Sequence, residues 1–162
     1  MKLYCPACYE VNDWGRETCV RCGAPLRGPE GETYAQKLIW ALRHREPSTA
    51  LRAATILGDL RATEAVDALT EVLRGPGFDP YVAAAAARSL GEIGDGRCRS
   101  ALTRVLREEG PVQVRLAAVE ALEALGPDED AARALRAASA RDRSERVRES
   151  AGKVLSAWRQ RA

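Results

Sequence analysis

Aromatic residues are scarce in this chain: 5% of its 162 residues are Phe, Trp or Tyr, with a single Phe. A pocket that holds an extruded nucleobase is built from several rings, so base-excision chemistry has little material here. Histidine is scarcer still, since His44 stands alone between Arg43 and Arg45. Any Ser or Cys nucleophile with an imidazole base would have to use it. Its place at the end of an expected helix suits a side chain facing the last carbonyls instead. No stretch approaches the roughly 18 uninterrupted apolar residues of a membrane helix. The opening Met-Lys-Leu-Tyr-Cys-Pro lacks the apolar core of a signal peptide, so a soluble cytoplasmic protein without membrane contact is expected. No Gly-rich phosphate loop follows a strand. Glu108-Glu109 and the acidic run Asp128, Glu129 and Asp130 read as solvated helix surface and a favoured helix start rather than acid-base pairs. No catalytic residue and no small-molecule substrate are expected.

What is present is concentrated at the two ends of the chain. Cys5-Pro-Ala-Cys8 and Cys19-Val-Arg-Cys22 lie ten residues apart. Two residues between ligands let a short turn present both sulfurs to one ion, and two such turns complete a tetrahedron. Cys5, Cys8, Cys19 and Cys22 are therefore expected to hold one structural zinc ion per chain, in a closed shell with no open position for chemistry. Gly23 permits the sharp turn after the second pair, and Pro6 and Pro25 stiffen the approaches. Two disulfides are the competing reading and would need an oxidising compartment. Cys98, between Arg97 and Arg99, is left over and is expected to be an inert filler rather than an activated thiol. Trp14, in the loop between the pairs, is a candidate contact residue.

The pattern resembles the bacterial zinc ribbon family, through Cys-Pro-Ala-Cys, Asn12 four places after Cys8, and the closing Cys-Val-Arg-Cys-Gly-Ala-Pro-Leu at 19–26. Asn12 and the ten-residue gap are also similar to zinc fingers of a nuclear pore protein, some of which bind single-stranded RNA or ubiquitin. That family carries Trp two places before its first cysteine, where Leu3 stands here, and the plain ribbon fits better. Residues 1–27 are thus expected to form the ribbon and residues 28–33, with Gly28-Pro29-Glu30-Gly31-Glu32, a linker. Residues 34–162 form a second domain rich in Ala, Leu, Arg and Glu.

That second domain repeats. Segments 49–57, 82–90, 114–122 and 147–155 align, with their final leucines 33, 32 and 33 residues apart. A period near 33 marks an array of stacked helical units. A second helix per unit is indicated by Leu69, Val72 and Leu73, then Leu102, Val105 and Leu106, then Leu135 with Ala138. Gly58, Gly75-Pro76-Gly77, Asp79-Pro80, Gly110-Pro111 and Gly126-Pro127-Asp128 are expected to mark boundaries. Seven or eight helices follow, with 34–45 an unpaired second helix at the start and 144–161 an unpaired first helix at the end. Trp40 and Trp158, in those terminal helices, are expected to cover the ends of the core.

Val-Arg-Leu-Ala-Ala-Val-Glu-Ala-Leu at 114–122 and Ala-Arg-Ser-Leu-Gly-Glu-Ile-Gly-Asp at 87–95 resemble the HEAT-like repeats first named from phycobilisome lyases. The third unit departs from the pattern at Glu123, where Gly58 and Gly91 stand in the others. The resemblance implies a mainly α protein, a short α-solenoid of HEAT-like helix pairs preceded by the small zinc ribbon. The superfamily hosts scaffolds, a few bilin lyases, DNA glycosylases and a di-iron hydroxylase. The hydroxylase binds iron through repeated His-Glu pairs, which a chain with one histidine cannot supply.

Charge separates along the chain. Residues 133–162 carry nine Arg or Lys against three acids, whereas residues 33–132 carry twelve against fifteen. Four thiolates and one divalent ion bring the formal +2 to about zero, which does not describe a general nucleic-acid binder. The expected function is a non-enzymatic scaffold or adaptor that binds a partner protein through the solenoid groove and the ribbon. Facing alone selects Asp67, Thr70, Glu71, Arg99, Ser100, Thr103, Arg104, Arg107, Arg133 and Arg136 on the second helices, taken to line the concave side. Arg141, Arg143, Arg146 and Arg148 extend the basic end. One alternative is a nucleic-acid-associated adaptor using the ribbon and that end. A second is a lyase-like enzyme acting on a bound chromophore.

Overall fold

The computed structural model describes residues 2–5, 8, 10–13, 15–26, 33–75, 77–108 and 110–160. Strand β1 (Lys2–Tyr4) pairs antiparallel with β2 (Val11–Asp13), Leu3 opposite Asn12. A further bridge joins Thr18 to Pro25. Among the described residues eight α-helices follow: α1 (Tyr34–Ala41), α2 (Pro47–Asp59), α3 (Val66–Arg74), α4 (Pro80–Ile93), α5 (Arg99–Arg107), α6 (Val112–Leu125), α7 (Glu129–Arg141) and α8 (Glu145–Gln160). One-turn 3-10 helices at Thr63–Ala65 and Gly96–Cys98 lead into α3 and α5.

Local chemistry sets these boundaries. Thr33 and Gln36 form a reciprocal capping box at the start of α1. Asp79 accepts the amide hydrogens of Tyr81 and Val82, at 2.8 and 3.4 Å, ahead of Pro80 in the first turn of α4. Asp128 caps α7 in the same way, at 2.8 Å from the Asp130 amide. Helix α4 ends at Gly94, whose φ of +78° is cheap only for glycine.

Helices α2, α4, α6 and α8 form one layer and α1, α3, α5 and α7 the other. The principal neighbours across the layers are α1 with α2, α3 with α4, α5 with α6, and α7 with α8. The expected unpaired terminal helices are therefore both paired: the compact unit is a second-layer helix with the first-layer helix that follows it. Leu42, Leu57, Leu69, Leu90, Leu102, Leu122 and Leu135 are completely buried between the layers. Trp158 is buried on α8, but Trp40 is 42% exposed and does not close the core as expected.

Gly58, expected to mark a boundary, and Gly91, at the same place in the next unit, prove to be packing residues. Gly58 lies inside α2, where a Cβ would sit 2.9 Å from the Ser89 backbone on α4. Gly91 lies inside α4, where a Cβ would sit 2.7 Å from the Ala121 Cα on α6. Ser89 adds a buried bond, its hydroxyl donating to the Ala54 carbonyl at 2.8 Å. The exposed Glu123 at the corresponding place on α6 goes with a less extensive α6–α8 contact.

Arginines fasten successive units. Arg97 donates to the Thr63 carbonyl at 3.2 Å, and Arg99 reaches the carbonyls of Leu125 and of Gly126, the latter at 2.9 Å. Arg115 on α6 grips Asp142, just past α7, through two bonds of 2.8 Å, with both side chains over nine-tenths buried. Arg115 also donates to the Gly110 carbonyl. Burial opposes ionisation of Asp142, but Arg115 and the Ser144 amide outweigh it and hold the carboxyl below the usual range. A lowered folded-state pKa contributes stability above the unfolded value of about 3.9, lost as pH falls through the lower folded value.

Three stability predictions follow from this packing. Gly91→Ala should destabilise by about 1–3 kcal/mol through overpacking against backbone. Gly152→Ala on α8, where a Cβ meets nothing within 4 Å, should be neutral or stabilising by up to about 1 kcal/mol. Arg115→Met should cost about 3–5 kcal/mol at neutral pH by stranding Asp142, and less below pH 3. Urea unfolding followed by circular dichroism measures all three.

Candidate functional site

The four N-terminal cysteines come together because two similar turns face each other. The Cys5 amide donates to the Glu10 carbonyl at 3.0 Å, and the Cys19 amide to the Ala24 carbonyl at 2.8 Å. Each bond closes a turn of the same length around a Cys-x-x-Cys pair. Gly23, at φ +71°, completes the second turn. The Sγ atoms of Cys5, Cys8, Cys19 and Cys22 all lie within 4.8 Å of one another. Cys5 and Cys22 are 3.6 Å apart and Cys8 and Cys19 3.5 Å, near the edge of about 3.8 Å of a tetrahedral thiolate site. The donor set is all sulfur, which fits a soft or borderline metal ion.

Asn12 holds the two turns in register. Its side chain is 2% exposed, donates to the Glu10 carbonyl at 2.7 Å and accepts from the Val20 amide at 2.9 Å. Its amide also approaches Cys19 Sγ at 3.7 Å, and the Arg21 amide approaches the same sulfur at 3.4 Å. Both are donors aimed at a sulfur, as a thiolate requires. As bare thiols, Cys8 and Cys19 are driven in opposite directions. Cys19 is drawn down to about 6, because amide hydrogens and neighbouring thiols outweigh its burial. Cys8 goes the other way, to about 12: the Glu10 backbone pulls it down, but burial and the three other sulfurs prevail. A cation removes that conflict by stabilising every thiolate at once.

The second candidate region is the outer face of the second layer. Here α3 and α5 touch only lightly, and Asp67, Thr70, Glu71 and Arg104 share a shallow depression with Arg74 and Gly75. Asp67, Ser100 and Arg133 occupy equivalent exposed places on α3, α5 and α7. At this one position the side chain changes from acidic to neutral to basic along the stack.

The structural repeat coincides with a sequence family. Residues 76–156 match the HEAT repeats family model and residues 50–75 the PBS lyase HEAT-like repeat. This chain belongs to the HEAT repeat family. No curated protein matches it.

Within the HEAT-repeat framework the predicted contact residues separate into groups. Ser100, Arg107, Arg136, Arg141, Arg143 and Arg146 are exposed. Asp67, Glu71, Arg104 and Arg133 are exposed but engaged in ion pairs, with Arg97, Arg43, Glu108 and Glu129 respectively. Arg99 is turned to the Leu125 and Gly126 carbonyls, and Arg148 donates to the Asp142 carbonyl at 2.8 Å. Thr103 departs from its expected position. It is 5% exposed and its hydroxyl bonds the Ser100 carbonyl, because it falls on the inner side of α5. Trp14 lies outside the described residues. Cys98 is completely buried, its thiol pushed up to about 11 chiefly by burial, in keeping with a filler.

Sequence reasoning missed Arg45, Arg115 and Asp142. Arg45 donates to the Cys8 carbonyl at 3.4 Å and so ties the first cysteine turn to the HEAT repeats. Ala24 and Pro25 share a cleft of about 390 Å³ with Ile39, Trp40, Val72 and Phe78. The only available signal for Arg45 was its nearness in sequence to α1, which does not specify a target.

Asn12→Ala should weaken metal binding by about 10–100-fold, the usual cost of losing an outer-sphere partner. Competition with a chromogenic chelator measures it. Loss of metal should also occur on acidification, as protons compete for the thiolates.

Proposed function

We propose that this HEAT-repeat protein is a non-enzymatic adaptor that carries one structural zinc ion on Cys5, Cys8, Cys19 and Cys22 and holds a partner protein. The observation that carries this reading is the ladder of exposed polar side chains on the second layer, presented by a stack belonging to a family commonly engaged in protein interaction. Its ion pairs are solvent-exposed and individually worth little, so a partner can replace them at small cost. Zinc is supported by four sulfurs at tetrahedral spacing without an oxygen or imidazole ligand among them. In domain terms, residues 1–27 form the zinc ribbon, residues 28–33 the linker and residues 34–162 the solenoid. A cytoplasmic setting suits cysteines gathered for metal rather than joined as disulfides.

The basic balance of residues 133–162 favours a second reading, an adaptor that touches nucleic acid. The match to a lyase-type repeat over residues 50–75 is what a lyase-like activity would rest on, and a co-purifying chromophore would be its sign.

Affinity capture from lysate of the source cells, with and without nuclease, separates the readings. The adaptor reading expects a discrete set of proteins that survives nuclease. Complete loss of captured material with nuclease, together with steep salt dependence, would replace it by the nucleic-acid reading. Elemental analysis should return one zinc per chain, and two disulfides in its place would sink the metal assignment.

A further inference from the structure

An arginine-rich concavity lies where the ends of α5 and α7 meet the start of α6. It is an open cleft of about 400 Å³ lined by Leu106, Arg107, Glu108, Gly110, Arg115, Ala137, Ala138, Arg141, Asp142 and Arg143. Among its described lining residues four arginines face two carboxylates, and both of those carboxylates are already engaged. Glu108 is paired with Arg104, and Asp142 is gripped by the buried Arg115. Arg107 and Arg141 are exposed, and neither side chain has a hydrogen-bond or ion-pair partner among the described residues. Leu106 and Ala138, both buried, supply an apolar floor between them.

Each of these two arginines is the last residue of its helix, where a cation offsets the helix dipole. That accounts for one guanidinium at each end. It does not account for their convergence, with Arg143, on one concavity whose described acids, Glu108 and Asp142, are already paired. The buried Arg115–Asp142 pair fixes the turn carrying Arg141 and Arg143 against α6, so the rim is held by the core rather than by loop residues alone.

We infer that this cleft is a docking pocket for an acidic segment of a partner protein, one that places a carboxylate between Arg107 and Arg141 and a neighbouring apolar side chain on Leu106 and Ala138. Arginine's planar fork pairs with carboxylate through two parallel bonds. The lining has no aromatic ring on which a base could stack. It is also a bounded hollow rather than a track of phosphate contacts. Both features favour a peptide over a nucleic acid. The inference rests on the adaptor reading and narrows it to a partner of stated chemistry.

The test uses the full chain and a fluorescein-labelled dodecamer of repeated Asp-Glu-Leu, with a Lys-Leu dodecamer and a thymidine dodecamer as comparison probes. Fluorescence anisotropy should show saturable binding of the acidic peptide alone. Arg107→Glu and Arg141→Glu should each weaken it by at least about tenfold, since hydrogen bonds to charged groups are involved. Arg52→Glu, on the exposed side of α2, should leave it unchanged. Arg107→Gln and Arg141→Gln, with melting temperatures measured alongside, keep the test valid if a reversed charge unsettles the helix end. No saturable peptide binding, equal binding by the variants, or preferred binding of the thymidine probe through the same arginines would each overturn the proposal. If the double variant still captures the same nuclease-resistant proteins, the pocket fails while the adaptor reading stands.

Discussion

Helices α2, α4 and α6 lie against one another over much of their length because alanine and glycine line the faces they share. Gly58 meets Ser89 and Gly91 meets Ala121 at distances that leave no room for a side chain. Close approach in this layer fixes the spacing of the units. In the other layer α3 and α5 barely touch, and shallow depressions open between neighbouring second-layer helices. What those depressions present is decided by residues that packing does not constrain. A stack of this kind stabilises each unit through its neighbours, since one helix pair cannot bury its own apolar stripe.

The two cysteine turns bring together four sulfurs that could hold a metal ion. Among the described residues their apolar cluster includes Cys5, Cys19 and Leu26, with Cys8 and Ala24 at its edge. A metal ion is a common supplement to the stability of segments this short. Asn12 connects the two turns, and Arg45 connects the first of them to the HEAT repeats. The cysteine cluster is thereby placed against the start of the stack, beside a cleft that includes the partly exposed Trp40.

The period near 33 and the paired Cys-x-x-Cys spacing were sufficient to anticipate helices α1 to α8 and the gathering of four sulfurs, because both depend on local periodicity and turn geometry. Asp79 and Asp128 were likewise legible as caps. Pairing between helices was not, since the same repeat can be cut before either helix, and only tertiary contact shows α1 with α2 and α7 with α8. Gly58 carried a signal that pointed the wrong way: glycine marks turns and close packing alike, and sequence offers no means to tell them apart within one helical turn of a boundary. Thr103 shows the limit of facing arguments on a nine-residue helix, where a shift of one position turns a side chain from solvent to core. The Arg115–Asp142 pair joins residues 27 apart and left no local trace.

The central claim is that the second-layer face and the α5–α7 cleft engage a protein. Hydrogen–deuterium exchange of the full chain, alone and in a reconstituted complex with a nuclease-resistant captured partner, tests it most directly. The account predicts added protection concentrated at the C-terminal turns of α5 and α7 and across the exposed positions of α3. Protection confined to the outer positions of α2, α4 and α6, or none beyond the metal-binding turns, would contradict it.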